Sequence, residues 1–221
     1  MNSMKNVGEI SPLKALEAFP GSYECHISVD LSNDKLQEFK DYSHSKNLKF
    51  IVIELSDGLT PVQPMVNFPL HKSPQKSWEF IEEIINEMKA LDFNIVRLKL
   101  EAGLQNENIP QTNDEAVNLT SMQYFEFHSQ IKIPVSYDLK SLRISVKDYD
   151  GHLSRNAYKM ESDFNFYFIT QRFYKIGKLE ALQKLEKLQE FIGSLGLSVT
   201  KSIKEFNIYD SNIELDSGWM S

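Results

Sequence analysis

The same succession of apolar periods runs through this chain twice, and it narrows the fold more than any single motif does. Tyr23 to Asp30 puts Tyr23, Cys25, Ile27 and Val29 on one side and Glu24, His26, Ser28 and Asp30 on the other, the period of a strand with one apolar face. A helix with Leu36, Phe39 and Tyr42 inward follows, opened by Ser32 or Asn33. The β-branched run Lys49 to Leu55 reads as a buried strand and Met65 to Phe68 as a short one. Ser73-Pro74 starts a long helix carrying Trp78, Ile81, Ile84, Ile85, Met88 and Leu91. Asn94 to Ala102 alternates again, with Arg97, Lys99 and Glu101 opposed to Val96, Leu98 and Leu100.

After a polar stretch that keeps neither period (103–123), the order restarts. Tyr124 to Ile133 sets Glu126, His128, Gln130 and Lys132 against Phe125, Phe127 and Ile131. A helix over Asp138 to Tyr149 precedes a hairpin around Glu161-Ser162-Asp163. A second long helix (Lys178 to Ile192, with Leu179, Leu182, Leu185 and Leu188 inward) is stopped by Gly193 and Gly196. The closing strand, Ile203 to Asp210, opposes Glu205, Asn207 and Tyr209 to Phe206 and Ile208.

This predicts an α+β protein: a tandem duplication of a ferredoxin-like βαββαβ unit, with antiparallel sheets and helices on one face. The two E-x-H strands lie 102 residues apart, which supports duplication. The expected divisions are an N-terminal extension with a short helix capped by Ser11 (1–22), a first half (23–102), a linker (103–123), and a second half with a docked C-terminal tail (124–221).

The formal charge is −7 with no run of basic residues, which argues against a nucleic-acid or membrane surface. Cys25 is the only cysteine, so intramolecular disulfides and multi-Cys zinc sites are excluded. No segment has the apolar length of a signal peptide or a spanning helix, and a cytoplasmic protein is expected. The glycine-loop, zincin and nucleophile-elbow motifs are all missing.

In a βαββαβ unit the first and last strands are neighbours and the helices cover their apolar faces, so the polar faces lie together. Glu24, His26 and Ser28 are thus expected beside Arg97, Lys99 and Glu101, and Glu126, His128, Gln130 and Lys132 beside Glu205, Asn207 and Tyr209. If the two sheets face or flank one another, both sets line one groove. There His26 and His128 would exchange protons, tuned by Glu24 and Glu126. Arg97, Lys99, Lys132 or Arg155 would neutralise a small phosphorylated or carboxylated metabolite, with Ser28, Gln130, Asn156, Arg172 and Glu205 as further ligand contacts. Both histidines with Glu24 or Glu126 would equally suit a divalent metal, and a binding module without turnover would use the same groove.

Plainer accounts compete at each place. Glu–Lys and Glu–Arg pairs on a solvated sheet face are ordinary stabilisers of about 0.2–1 kcal/mol each. His152 to Asn156 reads as a hairpin edge kept polar, with Gln171 and Arg172 serving whichever face Arg155 serves. Thr60 to Met65 reads as a turn with Gln63 a contact. In the tail, docking by Trp219 competes with cation binding by Asp210, Asn212 and Asp216. His44 and His71 are bystanders.

Two resemblances add to this. His26-Ile27-Ser28 resembles the H-x-[ST] strand motif of the two-histidine phosphoesterases; His128-Ser129-Gln130 has Gln in place of the hydroxyl residue. That resemblance implies a hydrolase with His26 and His128 as general base and acid and Ser28 on phosphate. The segments Thr60–Met65 (TPxQPM), Tyr124–His128 (YFExH), His152–Asn156 (HLSRN) and Tyr209–Trp219 (YDSNxxLDxGW) are similar to an uncharacterised bacterial protein family. This second likeness implies a self-contained protein and no particular chemistry.

Overall fold

The computed structural model describes residues 10–32, 34–71, 73–157 and 164–220. Each alternating segment is a strand: β1 (Tyr23–Asp30), β2 (Lys49–Leu55), β3 (Val62–Pro69), β4 (Asn94–Gly103), β5 (Tyr124–Pro134), β6 (Gly151–Asn156), β7 (Phe164–Tyr174) and β8 (Ser198–Asp210). The helices are α1 (Pro12–Ala18), α2 (Leu36–Ser45), α3 (Pro74–Ala90), α4 (Asn113–Ala116), α5 (Leu139–Ser145) and α6 (Lys178–Ser194). Within the first half the spatial order is β4-β1-β3-β2, and within the second it is β8-β5-β7-β6, all neighbours antiparallel.

The halves do not form two sheets across a groove. They join at two seams into one closed eight-stranded barrel. β4 pairs with β8 from Lys99↔Asp210 to Gly103↔Glu205, and β2 pairs with β6 from Ile53↔Asn156 to Leu55↔Ser154. Closure removes the free edges an open sheet would present. It also corrects the reading of His152 to Asn156 as a polar edge, because β6 is a seam strand.

The apolar faces point outward beneath the helices. Leu16 of α1, Phe39 of α2 and Ile81, Ile84 and Met88 of α3 bury with Cys25, Ile27, Leu100, Phe125 and Phe206. Leu188 and Ile192 of α6 bury with Leu142, Val146, Ile131, Leu153 and Ile169. Leu91 and Leu179, expected inward, are 42% and 58% exposed because each sits at a helix end. Ser11 caps α1 as expected, whereas α2 starts at Leu36 with Lys35 as its cap. Asn33 and the expected turn at Glu161 to Asp163 lie outside the described residues.

Residues 103–123 are an ordered connection. Thr112 and Glu115 form a capping box on α4, and Ile109 and Ala116 are buried. The Asn106 side chain receives Ser22 N–H and donates to the carbonyls of Phe19 and Ser22, each at 2.9 Å.

Candidate functional site

With helices on the outer face, the period of two forces every second residue of each strand into the barrel, and outside β2 those residues are mostly polar. The interior is a cavity of about 470 Å³. Glu24, His26 and Ser28 of β1, Arg97, Lys99 and Glu101 of β4, Glu126 and His128 of β5, and Glu205 of β8 all line it. The account of these residues as pairs on a solvated face therefore fails. Glu101 and Glu126 are each 2% exposed, and Lys99 and Arg97 are also buried.

A chain of charged groups joins the two imidazoles. His26 Nε2 lies 2.8 Å from Glu101 Oε2, and Glu101 Oε1 lies 2.6 Å from Lys99 Nζ. Lys99 Nζ donates to Glu126 Oε2, which lies 3.6 Å from His128 Nε2. Each outer carboxylate thus stands between a histidine and the one ammonium. His128 Nδ1 shares a 2.8 Å hydrogen bond with Thr170 Oγ1, and Asn67 Nδ2 donates to Glu24.

A second network sits beside the first. Arg97 donates through Nε to Asp210 Oδ1 at 2.8 Å and through Nη1 to Asp216 Oδ2 at 3.0 Å. Arg172 donates to Glu126 Oε1 at 2.8 Å and to Asp216 Oδ2 at 2.7 Å. The Tyr124 hydroxyl donates to Asp210 Oδ2 at 2.5 Å, and the Arg172 guanidinium lies over its ring, 4.5 Å from the centroid.

Burial alone would push these carboxyls up. For Glu101, Lys99 and His26 outweigh that effect and hold it below the usual carboxylate range; for Glu126, Arg172 and Lys99 do the same. Glu205 goes the other way: burial, with Glu101 and Glu24 adding like charge, pushes it up to about 10. Its folded pKa thus exceeds the ordinary value of 4.5, so above pH 4.5 the native state keeps a proton that the unfolded chain has lost. Stability from this group is fully present below pH 4.5 and falls as pH rises toward 10. Glu205→Gln removes the dependence, and its melting temperature should gain on the parent's steadily between about pH 5 and pH 9. A gap that stays constant across that series counts against a protonated Glu205.

Other expected contacts sort by strand face. Asn156 and Arg172 line the cavity. Arg155 does not; it is exposed and donates to Glu54 across the β2–β6 seam. Arg172 and Arg155 thus serve opposite faces, and Gln171 is outside too, donating to the Tyr149 carbonyl at 2.8 Å. Gln130 is buried where β8 bulges, with its Oε1 accepting from Thr200 Oγ1 at 3.2 Å. The Lys132 ammonium stands over Phe164, 4.2 Å from the ring centroid. Neither Gln130 nor Lys132 lines the cavity.

Tyr209 is corrected as well. A register shift between Leu100 and Glu101 in the β4–β8 pair turns Asp210 to the interior and leaves Tyr209 packed among the outer apolar residues. Asp210 and Asp216, weighed as cation ligands with Asn212, are neutralised by arginines, while Asn212 Nδ2 donates to the Val96 carbonyl at 3.0 Å. Gln63, read as a turn contact, is buried and donates to Asp216 Oδ1 at 3.1 Å.

Interior residues not singled out as contacts include Glu101, Tyr124, Thr170 and Asn67. Glu101 was legible, since it shares the alternation of Arg97 and Lys99. Thr170 and Asn67 follow only from the registers His128↔Thr170 and His26↔Asn67.

The expected metal set of both histidines with Glu24 or Glu126 does not gather among the described residues. Glu101, Glu126 and His128 do bring ligand atoms within 4.8 Å of one another. Lys99 Nζ, at ion-pair distance from both carboxylates, supplies the positive charge there.

No family model and no curated protein matches this chain. Among solved structures it is similar to the small subunit of acetolactate synthase from Thermotoga maritima, at 11% identity over 83% of this chain and 92% of that one, with a TM-score of 0.32. It is similar also to chlorite dismutase from Candidatus Nitrospira defluvii in complex with imidazole, at 12% identity over 88% and 94%, with a TM-score of 0.29. Likeness at this level carries no argument about activity. No helix among the described residues is long and apolar enough to cross a membrane.

Proposed function

We propose that the barrel interior is the working site of an enzyme acting on a small molecule, with His26 and His128 as its proton-transfer pair. The observation that carries this reading is that both imidazoles line one cavity and are linked through Glu101, Lys99 and Glu126. A carboxylate beside an imidazole orients the ring and stabilises its protonated form, which an acid–base group needs. Lys99 holds both carboxylates at once, so the two histidines act in one electrostatic unit. About 470 Å³ is also within the usual range for small-molecule sites, roughly 300–1,000 Å³. A pair that can give and take protons suits the addition of water, and hydrolysis is the reaction class we favour.

The halves 23–102 and 124–221 are, on this reading, copies of one ferredoxin-like unit joined by 103–123. Matching registers support it: Glu24↔Glu101 and His26↔Lys99 in the first, Glu126↔Glu205 and His128↔Ile203 in the second. The copies have since diverged: Lys99 stands opposite His26 in the first, and Ile203 holds the equivalent place opposite His128 in the second.

His26→Gln and His128→Gln, singly and together, test the reading. The purified full chain is incubated with a small-molecule extract and followed by mass spectrometry. The parent should deplete a compound that the double variant depletes at least about a hundredfold more slowly, the lower range of general acid–base contributions. Melts near the parent's will show that the variants remain folded. Equal depletion by parent and double variant, or none by either, replaces the enzyme with a binding protein.

A further inference from the structure

We infer that the cavity is built for a cationic organic ligand, an amine in its ammonium form, seated against Glu24 and Glu101. This rests on the reading of the interior as a small-molecule site and names the ligand class.

The first ground is that the buried cations are already engaged. Arg97 holds Asp210 and Asp216, Arg172 holds Glu126 and Asp216, and Lys99 holds Glu101 and Glu126. An incoming phosphate or carboxylate would have to break these pairs and strand their carboxylates without countercharge, which is costly in a buried site. Arg97 and Lys99, expected to neutralise an anion, are therefore poorly placed to do so.

The second ground is like charge set directly opposite like charge. Glu24 faces Glu101 across β1 and β4, whereas Glu205, which faces Glu126 across β5 and β8, keeps its proton. Such pairings destabilise a sheet unless something positive lies between them. Lys99 and Arg172 answer for Glu126, whereas Glu24 pairs with no Lys or Arg among the described residues and has only the His26 imidazole, 3.6 Å away, and the Asn67 amide beside it. Lys49 and Lys201 line the same cavity but are exposed, and neither makes an ion pair with another of the described residues.

The third ground is independent of charge counting. Glu101 is 2% exposed, and its two oxygens meet only Lys99 Nζ at 2.6 Å and His26 Nε2 at 2.8 Å. Each carboxylate oxygen has two lone pairs, so this buried group on the cavity wall has capacity to accept a further hydrogen bond from a ligand. Ile51, Met65, Phe168 and Ile203 supply an apolar wall in the same cavity. A hydrocarbon wall of that extent suits an organic amine and gives nothing to a bare metal ion.

The test uses three probes of one shape on the full chain at neutral pH: 3-phenylpropylamine, 3-phenylpropanol and 3-phenylpropanoate, each titrated calorimetrically, with MnCl2 as a fourth arm. The amine alone should bind among the organic probes, and Glu24→Gln should weaken it by about tenfold or more, as loss of a charge-assisted hydrogen bond implies. Preference for the carboxylate or alcohol overturns the ammonium assignment and leaves the small-molecule site standing. Binding of Mn²⁺ that displaces the amine overturns it in favour of a metal. Binding of none of the four overturns both.

Discussion

Lys99→Met is expected to lower the melting temperature by roughly 6–20 °C at neutral pH, and the loss should shrink as the pH falls below 4.5. The ammonium is the shared partner of Glu101 and Glu126, both almost fully buried. Removing one member of a buried ionic cluster costs about 3–5 kcal/mol, because the charges left behind have neither water nor a partner. For a chain of this length each kcal/mol corresponds to about 2–4 °C. The direction with pH follows from the carboxyls. In the parent, Glu101 and Glu126 are held below the ordinary 4.5, so their contribution is present above pH 4.5 and is lost as pH falls through their folded values. Without Lys99 that contribution largely disappears, and the gap between parent and variant is widest above pH 4.5. Adding Glu126→Gln to Lys99→Met should recover part of the loss by removing one stranded charge. A variant that melts within 2 °C of its parent at every pH would show that Lys99 does not bridge the two carboxylates.

The strand faces were legible in the sequence, and the closure of the sheet was not. Period-two alternation states which residues share a face, so Glu24 with His26, Arg97 with Lys99, and Glu126 with His128 follow directly. It does not state what lies opposite that face. β2 held the clue: Lys49 to Leu55 is apolar on both sides because Ile51, Ile53 and Leu55 line the cavity while the other face meets the helices. The same run fits a strand buried inside an open sheet, and nothing local separates the two. Seams such as Ile53↔Asn156 and Lys99↔Asp210 join residues about a hundred positions apart, beyond the reach of any local pattern. The shift that turns Asp210 inward in place of Tyr209 is of this kind, since it belongs to the pairing of β4 with β8 and leaves no mark in β8 itself. Arg155 and Arg172 were grouped by chemistry, yet they lie on opposite faces because strand parity outranks residue type.

Trp219→Ala is expected to cost about 3–5 kcal/mol, roughly 6–20 °C, an effect at the upper end for a residue so close to a chain terminus. Chain ends are ordinarily loose unless tied down, and this one is tied at several points. The Trp219 ring is 5% exposed, and its Nε1–H donates to the Leu153 carbonyl at 2.9 Å. Leu59 N–H donates to the Ser217 carbonyl at 3.0 Å, and Asp216 reaches Arg97, Arg172 and Gln63 inside the barrel. Gly58, at φ +109°, permits this approach; a Cβ there would stand 3.2 Å from both the Ser217 carbonyl oxygen and Trp219 Cβ. Gly58→Ala should therefore destabilise as well, by backbone strain and by pushing the tail away. If the tail docks as one unit, the clash matters less once Trp219 has lost its ring, and the double variant should lose less stability than the two single losses added together. Strict additivity would mean that the Gly58 turn and the Trp219 ring act separately. In that case Asp216 would reach the two arginines without the indole to hold it, and the tail would not be a structural part of the cavity wall.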